Sequence, residues 1–268
     1  MELQVVLPNE SPSLRPQRIA ELATTAEKAG YRAAWLPDHL LPPAPYGSTY
    51  GGVYEPLVTL TYLAAHTTTI RLGTSVLILP MRNPFVVAKQ AATVDVISGG
   101  RLTLGVGIGW DAQEFAAVGA DYRTRAARTD EAIALLRHLF GGSGPFQGRY
   151  YGYQTGVFQP RPRRPIPIMV GGTSDAALRR AAALADEWQA VGVNPAGFAE
   201  RLARLRGLSD REVRPTVRVA WNGDRVGLGK AVEQTHAFAE AGAAAVAVWF
   251  GGADGFADRM TRFVEQFA

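Results

Sequence analysis

The chain has 268 residues, of which 47% are hydrophobic and 19% charged, an ordinary balance for a globular protein. It contains no cysteine, so disulfides, thiolate nucleophiles and cysteine-based zinc sites are excluded. The formal net charge of +4 comes almost wholly from dispersed arginines; the one dense group, Arg161, Arg163 and Arg164, lies among prolines without aromatics at base-stacking spacing, which favours an anionic small molecule over nucleic acid.

Residues 3–7 predict a short apolar strand, and residues 16–29 a helix that stops at Gly30, a natural C-terminal cap. Residues 33–36 predict a second strand, followed by a loop over 37–54 rich in proline, glycine and tyrosine. A helix over 56–65, a β-rich run over 71–79 and a helix over 84–97 closed by Gly99 and Gly100 come next. Residues 102–108 form the fourth predicted strand, with small residues in alternation, and after a loop residues 125–140 form a long amphipathic helix. Residues 141–165 hold too many glycines, prolines and tyrosines for a regular element and predict an excursion with room for a hairpin. The fifth strand over 166–170 and a helix over 175–185 follow, and strands over 187–191, 216–221 and 245–250 bring the total to eight. Helices over 195–205, 230–241 and 255–267 fill the remaining gaps.

Strands alternating with helical patterns argue for parallel βαβ units, and nearly continuous apolar strands argue for burial on both faces. The length is close to the ~250 residues of a minimal (β/α)₈ barrel. The expected fold is therefore α/β: one (β/α)₈ TIM barrel domain over residues 1–268, with a long excursion between the fourth and fifth strands.

His39, His66, His138 and His236 are scattered and share no metal-binding spacing, so no metal is expected. The first ten residues lack a basic region followed by an apolar run, so no signal peptide is expected. Apolar runs such as 243–250 are far shorter than the ~20 residues that span a bilayer. These features predict a cytoplasmic protein that acts on a small-molecule substrate, with no nucleic-acid or membrane partner. A homodimer is the commonest assembly of such proteins.

Gly107, Gly109 and Ala112 formally match the dinucleotide fingerprint GxGxxA, with Asp130 at about the right distance. The strand is fourth in order, however, and small residues lining a crowded barrel interior are the favoured explanation. The glycines still let backbone approach a ring closely, because they lack a Cβ. Gly171, Gly172, Thr173, Ser174 and Asp175 follow a strand and open a helix, whose free N–H groups suit a phosphate. Thr173 or Ser174 can equally be a plain N-cap, but two adjacent glycines exceed what capping requires. Asp38 and His39 end the second strand, where barrel enzymes place catalytic groups. Histidine titrates near neutrality and can give or take a proton; a polar position in a solvated loop is the equal alternative. Tyr46, Tyr50 and Tyr54 give the following loop the character of an aromatic lid or of an adaptable loop.

Together these segments resemble the luciferase-like monooxygenase superfamily, in particular its deazaflavin (coenzyme F420) branch. The resemblance rests on residues 35–39 (WLPDH), 71–80 (RLGTSVLILP), 83–90 (NPFVVAKQ), 95–110 (DVISGGRLTLGVGIGW), 128–131 (RTDE) and 168–172 (IMVGG), in order over roughly the first two hundred residues. It implies a tricyclic ring packed on a bulge after the third strand, with a non-prolyl cis peptide that maps to Ser75–Val76. It also implies cofactor contacts at Asp38, Thr74, Ser75, Val76, Gly107 and Gly109, and a phosphate contact at Gly171, Gly172 and Thr173. His39 matches a histidine near the hydride-transfer centre of sugar-phosphate dehydrogenase relatives. Those relatives carry an acidic residue after the fourth-strand glycines and a tryptophan shortly after the histidine; here Trp110 and Pro43 stand there, which speaks against a sugar dehydrogenase. The implied activity is hydride transfer between F420 and a small organic substrate, in the direction of reduction, with His39 as proton donor and Tyr46, Tyr50 and Trp110 shaping the pocket. An FMN-dependent monooxygenase and a non-catalytic flavin- or deazaflavin-binding protein are the alternatives.

Overall fold

A computed structural model of the chain describes residues 1–10, 14–42, 54–223 and 227–267. In chain order the elements are β1 (Glu2–Val6), α1 (Pro16–Lys28), β2 (Ala33–Leu36), α2 (Pro56–His66), β3 (Arg71–Thr74), β4 (Leu77–Ile78), α3 (Pro84–Ser98), β5 (Leu102–Gly107), α4 (Ala112–Ala117) and α5 (Arg125–Gly141). The short β6 (Phe146–Gln147) and β7 (Gly152–Tyr153) follow, then β8 (Ile168–Gly171), α6 (Asp175–Leu184), β9 (Glu187–Val191), α7 (Pro195–Arg206), β10 (Arg214–Ala220), α8 (Leu228–Glu240), β11 (Ala245–Trp249) and α9 (Phe256–Val264).

The helix starts follow local chemistry. Proline opens α1, α2, α3 and α7, where its missing N–H costs nothing. The side chains of Glu55, Asn83, Ser174 and Asn194 accept hydrogen bonds from the exposed N–H groups of α2, α3, α6 and α7.

The ring of strands closes. β1 pairs with β2 and β11, and the circuit runs on through β3, β5, β8, β9 and β10, every pairing parallel. With β4 as a two-residue continuation beside β5, this is an eight-stranded parallel barrel. The side chains of Val5, Leu36, Leu72, Leu104, Val170, Val217 and Val248 point outward into the layer beneath the helices and are buried in the main core. The interior is filled as well. Trp35 donates its indole N–H to Gln4 Oε1 at 2.9 Å, and a Cβ at Gly73 would lie 2.4 Å from the indole ring, so glycine is needed there. At the N-terminal end Glu2, Arg71, Glu187 and Arg214 form a ring of ion pairs at 2.7 to 3.1 Å that plugs the barrel.

Three local features bear on the site: the cis Ser75–Val76 peptide stands where the resemblance places it, the excursion holds a hairpin where room for one is expected, and helix α4 departs from the expectation. The run over 71–79 is not one strand: β3 ends at Thr74, the Ser75–Val76 peptide is cis, and after β4 the chain makes a 3-10 turn. Helix α4 lies inside what reads as a loop; Asp111 caps it by accepting from the Gln113 N–H at 3.0 Å. The excursion carries an antiparallel hairpin, β6 with β7, whose turn is held by Glu131 accepting three N–H groups at 2.6 to 2.9 Å. Among the described residues no helix is long and apolar enough to cross a membrane.

Candidate active site

The C-terminal ends of β2, β3, β5 and β8 converge on one apolar feature, the Val76 side chain. With Trp249 it packs against the interior cluster formed by Val6, Ala33, Trp35, Met169 and Ala247. Two of the expected cofactor residues exist to seat it. A Cβ at Gly107 would lie 2.5 Å from one methyl of Val76, and a Cβ at Gly171 would lie 2.7 Å from the other. Gly109 has φ +73°, and a Cβ there would lie 2.6 Å from Ile78 and 2.8 Å from Phe115. The glycines are thus explained by crowding, not by a dinucleotide turn, and they leave Val76 standing as a small hydrophobic wedge under the barrel mouth.

The residues around the wedge are braced from several strands. Thr74 donates its hydroxyl to the Gly105 carbonyl at 2.6 Å and is fully buried. Ser75 donates to Gln189 Oε1, and its carbonyl accepts from Arg218. Asp38 accepts from the Ile78 N–H at 2.9 Å and from Arg82 at 2.6 Å, and its side chain has 0% exposure. Its carboxylate therefore ties the end of β2 to β4 and to Arg82.

His39 is placed differently from its neighbour. Its Nδ1 lies 2.9 Å from Glu114 Oε2, and the other oxygen of Glu114 accepts the Leu40 and Leu41 N–H groups at 2.5 and 2.9 Å. Glu114 is almost completely buried, and α4 presents it. Trp110 stands edge-on to the imidazole, with ring centroids 5.7 Å apart, and is half exposed. His39 and Trp110 thus share the rim. Tyr46, Tyr50 and Pro43 lie outside the described residues. Tyr54 donates its hydroxyl to the Leu14 carbonyl, which makes it an anchor.

In the segment that follows β1 stands a buried carboxyl, Glu10, that the sequence alone does not single out. Burial raises the Glu10 carboxyl above the usual carboxylate range, and its own N–H, the Arg218 charge and the Trp249 indole only partly offset this. The indole is near enough to act on the carboxyl but misses hydrogen-bond geometry, so Glu10 Oε2 and Trp249 Nε1 are both unpaired, as is Gln189 Nε2. Three unpaired buried polar atoms around an apolar wedge suit a flat ligand with polar edges.

At the start of α6 the cap is Ser174, which accepts from the Ala177 N–H. Gly172 has φ +120°, its N–H is committed to the Gln189 carbonyl at 3.1 Å, and its own carbonyl accepts from the Trp188 indole. Of the turn expected to meet a phosphate, Gly172 therefore offers no free N–H, and Gly171 is accounted for by Val76. The half-buried Thr173 remains beside the positive end of a ten-residue helix.

The sequence signals for the missed groups were present. Asp111 and Glu114 stand in the D-x-x-E spacing of a helix start, and Arg218 is a charge set between Val217 and Val219 in the middle of a barrel strand. Among the described residues no three His, Asp or Glu side chains gather to hold a metal. A concavity of about 1010 Å³ opens at the opposite, N-terminal face, lined by Arg32, Arg71, Arg214 and His236 among others. Its central charges already pair with Glu2 and Glu187, and barrel chemistry sits at the other end.

The family model for luciferase-like monooxygenases matches residues 1–223, which is most of the chain. The chain belongs to the luciferase-like monooxygenase family. An uncharacterized protein of Mycobacterium tuberculosis is 36% identical over 203 residues, covering 70% of each chain. An F420-dependent glucose-6-phosphate dehydrogenase of Kineococcus radiotolerans is 36% identical over 160 residues, covering 58% of this chain and 46% of that one. Among solved structures, an F420-dependent secondary alcohol dehydrogenase in complex with an F420–acetone adduct superposes with a TM-score of 0.83 over the full length of both chains, at 17% identity. That likeness is one of fold.

Proposed function

We propose that this member of the family is an oxidoreductase that transfers hydride between coenzyme F420 and a small organic substrate, working as a reductase. The observation that carries the reading is the His39–Glu114 pair: a histidine backed by a buried carboxylate, on the rim of a mouth whose floor is the Val76 wedge. The identity to F420-dependent glucose-6-phosphate dehydrogenases, 36% over 160 residues and 34% over 175, supports the choice of cofactor.

The residues fit such a group. Val76, with Gly107 and Gly171 beneath it, offers an apolar seat for a flat ring, and the unpaired polar atoms of Glu10, Gln189 and Trp249 offer partners for ring or substrate edges. Thr173 and the start of α6 offer a place for an anionic phosphate. When bound, F420 supplies a hydride donor and acceptor that reacts poorly with oxygen. The chain's task is then to orient and to manage protons. His39 holds or delivers a proton at Nε2, Trp110 walls the pocket beside it, and Glu114 keeps the imidazole in place.

The name of the family favours one second reading, an FMN-dependent monooxygenase on the same barrel. Titration of the purified protein with F420 and with FMN, followed by absorbance and fluorescence, separates the two. Tight F420 binding, and oxidation of reduced F420 by carbonyl or activated-alkene acceptors without oxygen, is the expected result. Binding of FMN alone would move the assignment to the monooxygenase. Tight cofactor binding with no turnover for any acceptor class would leave a binding protein.

A further inference from the structure

We propose that Glu114 is the positioning residue of this site: it fixes which nitrogen of His39 carries the proton and so leaves Nε2 as the nitrogen that meets the reacting group. The inference rests on the reading of His39 given above and deepens it.

A carboxylate can only accept hydrogen bonds. Glu114 Oε1 is held by two backbone donors, the Leu40 and Leu41 N–H groups, which prevents the carboxylate from turning away. Its Oε2 then faces Nδ1 of His39 at 2.9 Å, and for that contact to be a hydrogen bond Nδ1 must bear the hydrogen. The proton on one ring nitrogen is set by the partner of that nitrogen, and among the described residues Nε2 has no hydrogen-bond partner. Trp110, edge-on to the ring, limits the imidazole from a second side. Glu114 is itself fixed by α4, whose first turn Asp111 caps. The arrangement serves both directions of proton transfer. When the imidazolium gives its Nε2 proton to a substrate oxygen, the neutral ring left behind has Nδ1–H on Glu114 already. When the neutral ring takes a proton back, it takes it at the same atom.

Glu114→Gln tests this without changing the size of the side chain. If the amide oxygen stays on the two backbone N–H groups, the amide NH₂ faces Nδ1, which then has to accept, and the ring proton moves to Nε2. The readout is the tautomer of neutral His39 by nitrogen NMR in histidine-labelled protein, with His39 picked out of the four histidines by its loss in His39→Gln. The expected result is an Nδ1-protonated ring in the wild type and an Nε2-protonated ring in the variant. An Nε2-protonated ring in the wild type would overturn the proposal without any variant, so a variant that fails to fold does not protect it. The same tautomer in both proteins would overturn it as well. Turnover of reduced F420 supplies the second arm: an inverted tautomer should lower kcat by roughly 10²–10⁴-fold, as when the carboxylate of a hydrolase triad becomes an amide, with KM little changed. An inverted tautomer with unchanged turnover would leave Glu114 in its role and remove His39 from the chemistry.

Discussion

Arg218 on β10 and Ser75 at the end of β3 are joined across the barrel by a 2.7 Å hydrogen bond from the guanidinium to the serine carbonyl. The same serine donates its hydroxyl to Gln189 Oε1 on β9 at 2.6 Å, so the turn that carries Val76 is held from two strands on the far side. Ser75→Ala would leave the buried Gln189 amide, whose Nε2 is already unpaired, without any partner for its oxygen. A buried polar group stripped of its partner costs about 1–3 kcal/mol. Urea unfolding of Ser75→Ala should show a loss of that size, and an unchanged midpoint would mean that the turn does not depend on this brace.

Val76 and Gly107 give a second, sharper test. A Cβ at residue 107 meets a Val76 methyl at 2.5 Å, and overpacking of this kind costs roughly 1–3 kcal/mol. Gly107→Ala should therefore destabilise the fold, and Val76→Ala should relieve it, so that the double variant loses less than the sum of the singles. Additive losses would show that the clash is absorbed elsewhere and that the glycine has another reason to be there.

The barrel was legible because its strands are buried on both faces and punctuated by helices with clear starts, such as Asn83–Pro84 and Asn194–Pro195. The bulge was legible through the family resemblance, which places the cis peptide at Ser75–Val76, where it stands. Hydrophobicity alone does not mark it, since the apolar run continues through Leu77, Ile78 and Leu79. Asp38 and His39 are adjacent in the chain yet face different neighbours, and only the fold separates the brace from the rim. Glu114 was hidden because α4 has six residues, too few to show a helical period, and because its partner lies 75 positions away. The tandem glycines at 171 and 172 read as a phosphate turn; in the fold one also makes room for Val76 and the other supplies a positive φ.

Glu10 predicts a specific dependence of stability on pH. Burial raises its folded pKa above the unfolded one, so the folded chain binds the extra proton. The carboxyl's contribution is fully present below the unfolded pKa and is lost as pH rises through the folded value. Glu10→Gln removes that titration. The variant should gain on the wild type as pH rises from the unfolded carboxyl range through the folded pKa, and the difference should then level off. Urea midpoints of both proteins across that window check it; curves that stay parallel would show that Glu10 titrates alike in both states.

His39 carries the most direct test of the chemistry. If it delivers the proton that accompanies hydride transfer, His39→Ala should lower kcat by roughly 10²–10⁴-fold. Affinity for the cofactor should change little, because Val76, Gly107, Gly171 and Thr173 stand on other strands and loops. A purely orienting role gives the opposite pattern, with KM raised and kcat nearly unchanged. The two are separated by single-turnover oxidation of reduced F420, followed by its absorbance with an acceptor found in the initial screen. A slow first turnover in the variant at saturating acceptor assigns the proton to His39. Equal rates in the two proteins would end its candidacy and transfer the role to Tyr46, Tyr50 or water, while Glu10, buried with a raised pKa, would become the next carboxyl to replace.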